Sequence, residues 1–441
     1  MNLRINPCCF EAINKRKGDT RNAMKKTNMI LTAILIMTLL IGALADNAAA
    51  AQKITFWHVF SETFGGPQIA EMVSAFNASQ SEVEVVAVFN PDMYPGLMRN
   101  LQVEAAAGSY PSLTVTGYSF LDFFAGNFEF QDIRKLDAAW LDEVFLPNIQ
   151  SLASLGGVQV GIPKAISAPI LLYNADLFKA AEIDEPPATW QEVRETALKI
   201  SNTTGKIGFY MQEYADNWAV QGLLESNGVS MLTDGAATFA TPEAAEAYKI
   251  LADMVLVDKS ALHISANEGI DAFMAGEVGM LLVTSGRLSA ITASASFNLA
   301  ATPFPSFPGH DVRIPAGGFF ISVTAQNEAE QQAAMKFLKF IMQPEIHAKW
   351  SATMGYLPTR SGLDAELDAF LGEGTLADLW RVTNSQMPNV QKWVSYPGDV
   401  GTFAEQLLAD TRDRILGGTE DPLTALQNAQ DQLNERLAVY K

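Results

Sequence analysis

Cysteine is almost absent from these 441 residues: Cys8 and Cys9 stand side by side and there are no others. Neither a disulfide framework nor a zinc site of the usual spacing can be built from them. Histidine is nearly as scarce, with His58, His263, His310 and His347 scattered along the chain, so a metal centre would have to be assembled from distant loops. Positive charge is in deficit, 30 Lys+Arg against 49 Asp+Glu for a net charge of −19. That balance argues against nucleic acid or an anionic membrane surface as the partner, because both attract basic patches. Enzyme signatures are missing too: there is no G-x-S-x-G elbow, no H-E-x-x-H, no P-loop and no G-x-G-x-x-G after a strand. Two carboxylates could in principle hydrolyse a glycoside, but nothing singles out a pair. No repeat, low-complexity tract, long charge run or evident linker interrupts the chain.

What is present builds cores. The sequence is 48% hydrophobic, with 25 Phe, 7 Trp and 10 Tyr, which excludes a disordered or fibrous chain. A length of 441 residues implies two or more domains, since a single core stops growing at about 250–300 residues.

Residues 29–45 are nearly unbroken apolar, follow Lys25 and Lys26, and lead into the alanine run 48–51. This is the pattern of a secretory signal, with cleavage expected before Gln52. An uncleaved anchor is the alternative, but 17 residues sit at the short edge for a spanning helix. Met24, directly before Lys25, reads as a natural start. Removal of 1–51 takes seven basic residues (Arg4, Lys15, Arg16, Lys17, Arg21, Lys25, Lys26) and three acids (Glu11, Asp19, Asp46), leaving 23 against 46, or −23. It also removes both cysteines, and no cysteine stands at the cleavage site to carry a lipid. A soluble exported protein is expected, most simply in a bacterial periplasm.

The remaining chain alternates strand and helix character. Residues 54–57, 83–89, 112–116, 170–174, 278–284 and 319–323 read as strands, and 67–77 carries Ile69, Met72, Val73 and Phe76 at helical spacing behind Pro67. Thr189 and Glu192 form a capping box for a helix running to about Ile200. Thr241-Pro242 opens another, with Tyr248, Leu251, Ala252 and Val255 on one face. Pro344 and Pro422 start two more, the last with Leu426, Ala429, Leu433 and Leu437 as its stripe. Alternation of this kind implies α/β units on mainly parallel sheets.

Trp57-His58 ends the first strand and leads through Ser61, Glu62 and Gly65-Gly66 into a helix, the carboxyl-end position where open α/β sheets bind ligands. Tyr94, Tyr118 and Trp218 fall in or beside loops rather than in apolar stripes. Each alone reads equally well as a core ring. As a group they suit a polyhydroxylated ligand, whose C–H faces pack on aromatic rings.

From Gln52 onward the chain resembles the extracellular solute-binding proteins of family 1, the capture subunits of ABC importers, and within them the glycerol-3-phosphate and sugar branch. The stretches that carry the resemblance are Trp57-His58; 161–163 with 169–174; 186–190; 273–276; 284–286; Gly317-Gly318; and 355–358. It implies a two-lobed α/β fold of the type II periplasmic-binding-protein class, with the ligand in a cleft between lobes joined by hinge crossings. Crossings are expected near 165–169, 302–306 and 340–344, giving lobes of 52–166 with 303–342 and 167–302 with 343–441. It further implies no enzymatic activity, no cofactor and no metal, with an ABC permease as membrane partner and a monomeric state. The alternative class is an exported glycan-processing hydrolase.

Site residues carry over one at a time. Tyr94, Ser167, Ser285, Gly318 and Tyr356 match contacts of glycerol-3-phosphate binders, and Trp218 falls within about one residue of a cleft tryptophan. Tyr118 stands where that branch has an acid, and Tyr396-Pro397 where it has an arginine. An arginine is the natural bidentate phosphate partner, so its loss favours a neutral sugar or polyol. Arg287 and Arg360 remain candidates to hold an anionic group. Trp57, Tyr94, Tyr118, Trp218 and Tyr396 are the expected packing surfaces; Ser167, Ser285, Gly318 and Arg287 the polar contacts; Tyr356 suits either role.

Overall fold

The structure, a computed structural model, describes residues 29, 51–62, 64–212 and 218–440. Met1–Ala51 and Gln52–Lys441 are separate compact units. The leader, apart from Met29 and Ala51, and with it Cys8 and Cys9, lies outside the described residues. No described helix is long and apolar enough to cross a membrane.

Two main sheets organise Gln52–Lys441. Their strands are β1 (Gln52–His58), β2 (Val83–Phe89), β3 (Leu113–Gly117), β4 (Ile162–Ser167), β5 (Pro169–Asn174), β6 (Ile207–Met211), β7 (Val278–Thr284), β8 (Leu299–Thr302) and β9 (Gly317–Val323). The first sheet has the order β2-β1-β3-β9-β4 and the second β8-β5-β7-β6. Every residue of β3 and β4 is buried, as is all of β7 except Thr284. Such unbroken burial is what strands covered on both faces require, and it explains the near-continuous apolar run of β7.

The helices bury the stripes read from the sequence. Gly66–Ser79 turns Ile69, Met72, Val73 and Phe76 inward, and Pro422–Leu437 buries Leu426, Ala429, Leu433 and Leu437. Trp190–Thr204 opens on the expected capping box, with Thr189 Oγ1 accepting from Glu192 N at 3.2 Å and Glu192 Oε2 accepting from Thr189 N at 3.0 Å. Val255 leaves the Tyr248 stripe, because a π-helical turn, Asp253–Val257, follows Pro242–Ala252 and shifts the facing.

The sheets are mixed rather than mainly parallel. β1 pairs parallel with β2 and β3, and β7 with β6. β9 runs against both β3 and β4, and β5 against β7 and β8. The cause is topological. Parallel neighbours need a crossover packed on their own sheet, whereas β9 enters the first sheet on return from the second. The chain changes sheet between Ser167 and Pro169: Ser167 pairs with Gly317 of β9, and Pro169 with Thr284 of β7.

The helix Pro344–Met354 lies against the first sheet. The Trp350 ring is 5.5 Å from Phe60 and 6.4 Å from Phe319, and Lys349 pairs with Glu71 at 2.5 Å.

Candidate functional site

The crossing between the sheets is held by backbone-directed bonds. Ala168 N donates to Ser285 Oγ at 3.3 Å, and Ser285 N donates to Ala168 O at 2.9 Å. Leu357 N donates to Ile166 O at 2.7 Å. Thus Ser285 just beyond β7, Leu357 beyond the helix Pro344–Met354, and the crossing itself are tied at one point. Gly355 is required there: its φ is +73°, and a Cβ would lie 2.5 Å from Ser285 O. The Tyr356 ring then reaches Phe319, centroids 6.1 Å apart and edge-on, and lies beside Gly286, where a Cβ would be 3.8 Å from Cε1.

A second group adjoins the first through β9. A Cβ on Gly317 would sit 2.3 Å from Ser167 Oγ and 3.0 Å from the Trp218 ring. Trp218 is fixed by a 2.6 Å bond from Nε1 to Pro315 O. The Tyr94 ring covers Gly117, where a Cβ would be 2.8 Å from Cδ2, and its hydroxyl donates to Gly318 O at 3.5 Å. Tyr94 follows two non-glycine residues in the left-handed region, Asp92 at φ 62° and Met93 at φ 53°. Such paired strain persists only where surrounding structure fixes it; here Arg99 Nη2 holds Asp92 Oδ2 at 2.9 Å.

Six of the expected residues therefore pack together around 166–168 and 317–318: Tyr94, Ser167, Trp218, Ser285, Gly318 and Tyr356. Trp57 is half-buried on β1, beside Val88 and Thr114. Arg287 is half-buried in the turn after Ser285 and has no hydrogen bond or ion pair among the described residues. Two tyrosines lie outside this set of contacts. Tyr118, 1% exposed, packs 5.9 Å from Phe320 in the core, its hydroxyl unpartnered. Tyr396 turns into a small cavity lined by Gln221, Tyr248, Trp393 and Glu405, and its hydroxyl is also unpartnered. Burial raises both phenols well above their ordinary range, with Glu405 and Glu225 adding to the effect at Tyr396. Arg360 is engaged as a brace, Nη1 donating to Met342 O at 3.0 Å.

Trp393 was not singled out from the sequence. Its ring lies 6.3 Å from that of Trp218, and nothing in the run Gln391-Lys392-Trp393-Val394 distinguishes it from an ordinary core tryptophan. Glu225 also escapes sequence reading. Burial pushes its carboxyl up to about 7, opposed by Gln221 and Gln391, whose amides donate to Oε2 at 3.1 and 2.6 Å, and by Arg313.

His58 is structural. Its Nδ1 accepts from Phe60 N at 3.2 Å, and the rings of Phe56, Phe60 and Phe89 surround it at 5.9–6.2 Å. Burial pulls its pKa down to about 4, so at neutral pH it is uncharged with the proton on Nε2. A folded pKa below the unfolded value means that this side chain opposes folding as pH falls from about 6.5 toward 4. Ring-proton NMR is expected to show one histidine titrating near pH 4, its signal lost in His58→Gln; a His58 midpoint near 6.5 would contradict the burial.

Among the described residues no cluster of three His, Cys, Asp or Glu is placed to hold a metal ion.

Known proteins resemble this chain in sequence and in fold. A family model described as bacterial extracellular solute-binding protein matches residues 71–371. The sn-glycerol-3-phosphate-binding periplasmic protein UgpB of Yersinia enterocolitica is 25% identical over 355 residues, covering 76% of this chain and 79% of that one. A Brucella abortus chain (strain 2308) named only as a binding protein is 30% identical over 366 residues, 78% and 84% of the two chains. Two solved structures share the fold. UgpB from Mycobacterium tuberculosis in complex with glycerophosphocholine superposes with a TM-score of 0.77 at 20% identity, over 88% of this chain and 99% of that one. The cyclic alpha-maltosyl-1,6-maltose binding protein from Arthrobacter globiformis gives 0.75 at 24% identity, with the same coverage.

Proposed function

The chain belongs to the bacterial extracellular solute-binding protein family, and from that premise we propose that it is the substrate-binding subunit of an ABC importer. It captures a carbohydrate or glycerol-phosphate-like solute outside the cytoplasmic membrane and hands it to the permease without chemical change. The working protein is a monomer in the periplasm, released from its leader without a lipid anchor. Its lobes are 52–166 with 303–342 and 167–302 with 343–441, with the helix Pro344–Met354 riding on the first sheet at the seam.

The observation that carries this reading is the convergence of Tyr94, Ser167, Trp218, Gly318, Ser285 and Tyr356 where the chain passes between the sheets. Ligand touching both sides of such a seam favours the closed arrangement only through contacts made to both at once, so affinity and the signal to the permease come from the same closure. The aromatic walls of Tyr94, Trp218 and Tyr356 match the apolar faces of a sugar or polyol. With Arg360 engaged at Met342 O, Arg287 is the guanidinium available to an anionic end.

A thermal-shift panel of mono- and disaccharides, polyols, glycerol 3-phosphate and glycerophosphocholine tests the assignment. A ligand at 100 times its Kd adds about 2.7 kcal/mol to stability, so at least one member of the panel is expected to raise Tm clearly. No shift with any of them counts against the solute class, and turnover of a bound sugar would replace the binding protein with a hydrolase.

A further inference from the structure

The segment between the 3₁₀ turn Met387–Asn389 and Tyr396 is anchored on both sides of the seam by contacts that need no ligand. Val390–Gln391 pairs in parallel with Ile314–Pro315, the segment that leads into β9 of the first sheet, and Ala316 N donates to Gln391 O at 2.7 Å. On the second-sheet side, Gln391 Nε2 donates to the buried Glu225 at 2.6 Å, and Trp393 packs on Trp218. On the first-sheet side, Lys392 Nζ donates to Ser154 O at 3.2 Å, and Ser395 Oγ donates to Asp122 Oδ2. Asp122 stands in the helix Leu121–Asn127, which continues from β3 through the turn Tyr118–Phe120. Ser395 is buried and Asp122 half-buried, so their bond is sheltered from competing water.

From this arrangement we infer that residues 387–396 form a strap across the cleft, and that Asp122, through Ser395, is a positioning residue that sets the balance between closed and open forms before any solute arrives. The inference rests on the solute-binding reading for its meaning but not for its test. A hydroxyl-to-carboxylate bond is charge-assisted and stronger than a neutral one, and it is the contact that joins the strap to the strand-following helix of the opposite sheet. Its loss removes the strap's carboxylate tie to the first sheet and leaves the Lys392 bond and the Ile314–Pro315 pairing to hold that side, while the Glu225 and Trp218 anchors stay, so the balance shifts toward forms in which the first-sheet side moves away. Asp122 touches neither the Tyr94 group nor the Ser285 group in the contacts described above. Its effect on solute is therefore indirect, through the fraction of molecules already closed.

The experiment uses the full chain with Cys8→Ser and Cys9→Ser, which removes every native cysteine. Val103→Cys and Val257→Cys, 69% and 68% exposed, carry spin labels on the two sides, and their distance distribution is read without solute. The parent is expected to give a dominant short distance. Asp122→Ala and Ser395→Ala should each move the population toward longer distances, and the double variant no further than either alone. Asp122→Asn keeps a carbonyl acceptor for the Ser395 hydroxyl and is expected to restore the short distance. An unchanged distribution in Asp122→Ala overturns the inference, and so does a lower Tm with an unchanged distribution, which would make the bond merely structural. Failure of the solute panel would leave this distance result intact, so the two readings fall separately.

Discussion

His347→Ala and Lys164→Met are each expected to destabilise the protein by about 1–3 kcal/mol, because each strands the other's polar group in a buried site, whereas Lys164→Met/His347→Leu, which removes both, is expected to be nearly neutral. The contrast follows from one buried pair. Lys164 is the extra residue of a β-bulge, where Ala165 faces Phe319 and Pro163 faces Phe320, and the bulge re-aims its side chain into the protein. Lys164 is 1% exposed and His347 fully buried, with Nζ 2.9 Å from Nδ1 and 5.1 Å from the centre of the Trp350 ring. His347 Nε2 meanwhile accepts from Thr359 N at 3.2 Å. Burial holds both bases well below their ordinary ranges, and for His347 the neighbouring Lys164 and Arg360 add to it. Removing the imidazole strands an amine and a backbone N–H in a dry site. Removing the amine places an apolar side chain of similar length over Trp350 but leaves His347 Nδ1 without its partner.

The pH dependence has a definite sign. Both groups have folded pKa values below their unfolded ones, so the unfolded chain binds more protons and stability rises with pH. For His347 the loss begins as pH falls through the unfolded value of about 6.5. Chemical denaturation at pH 7.5 and 5.5 is expected to show a larger stability drop for wild type than for Lys164→Met/His347→Leu. Equal drops would place the pH sensitivity elsewhere, with His58, which acts in the same window, as the next group to vary.

Gly317→Val is expected to lower solute affinity by about 10- to 100-fold, using whichever member of the panel gives the largest thermal shift in the parent. The smallest side chain already meets Ser167 Oγ at 2.3 Å and the Trp218 ring at 3.0 Å. Overpacking of this kind costs about 1–3 kcal/mol, and here the groups that must yield are ones proposed to hold the solute. Gly318→Ala should behave differently. Its φ of +102° is open to glycine alone, and a Cβ would stand 2.3 Å from Ala165 O, so the penalty appears as a lower Tm. Isothermal titration and thermal melts on both variants separate the outcomes; unchanged affinity in Gly317→Val would remove that edge of β9 from the site.

These contacts mark how far the sequence could be read. Strand positions, helix stripes and the Thr189–Glu192 capping box depend on residues close along the chain, and they were legible. Pairing was not: the run 319–323 marks a strand, but not that β9 runs against β3 and β4. Tyr94 and Tyr118 illustrate the limit at the site. Both follow strands and look alike in sequence, yet one covers Gly117 while the other sinks beside Phe320. Lys164 would be read as an exposed lysine, because its burial depends on a bulge and on a helix 183 residues away in sequence. Likewise Arg360, a candidate for an anionic ligand, finds its partner in the carbonyl of Met342, which only the packed chain brings within reach.

Gly117, Gly317 and Gly318 give the proposed site a floor of peptide without side chains of its own, packed under Tyr94, Ser167 and Trp218. Amide groups neither titrate nor attract counterions, so whatever selectivity this floor imposes is expected to hold across acidity and salinity. Because an added methyl group at any of the three would meet Tyr94, Ser167 or Ala165 O within 3 Å, the floor is also closed to gradual alteration. Divergence toward a new solute has to proceed through the walls, at Tyr94, Arg287, Tyr356 and Trp393, where side chains can change size and charge without displacing the main chain.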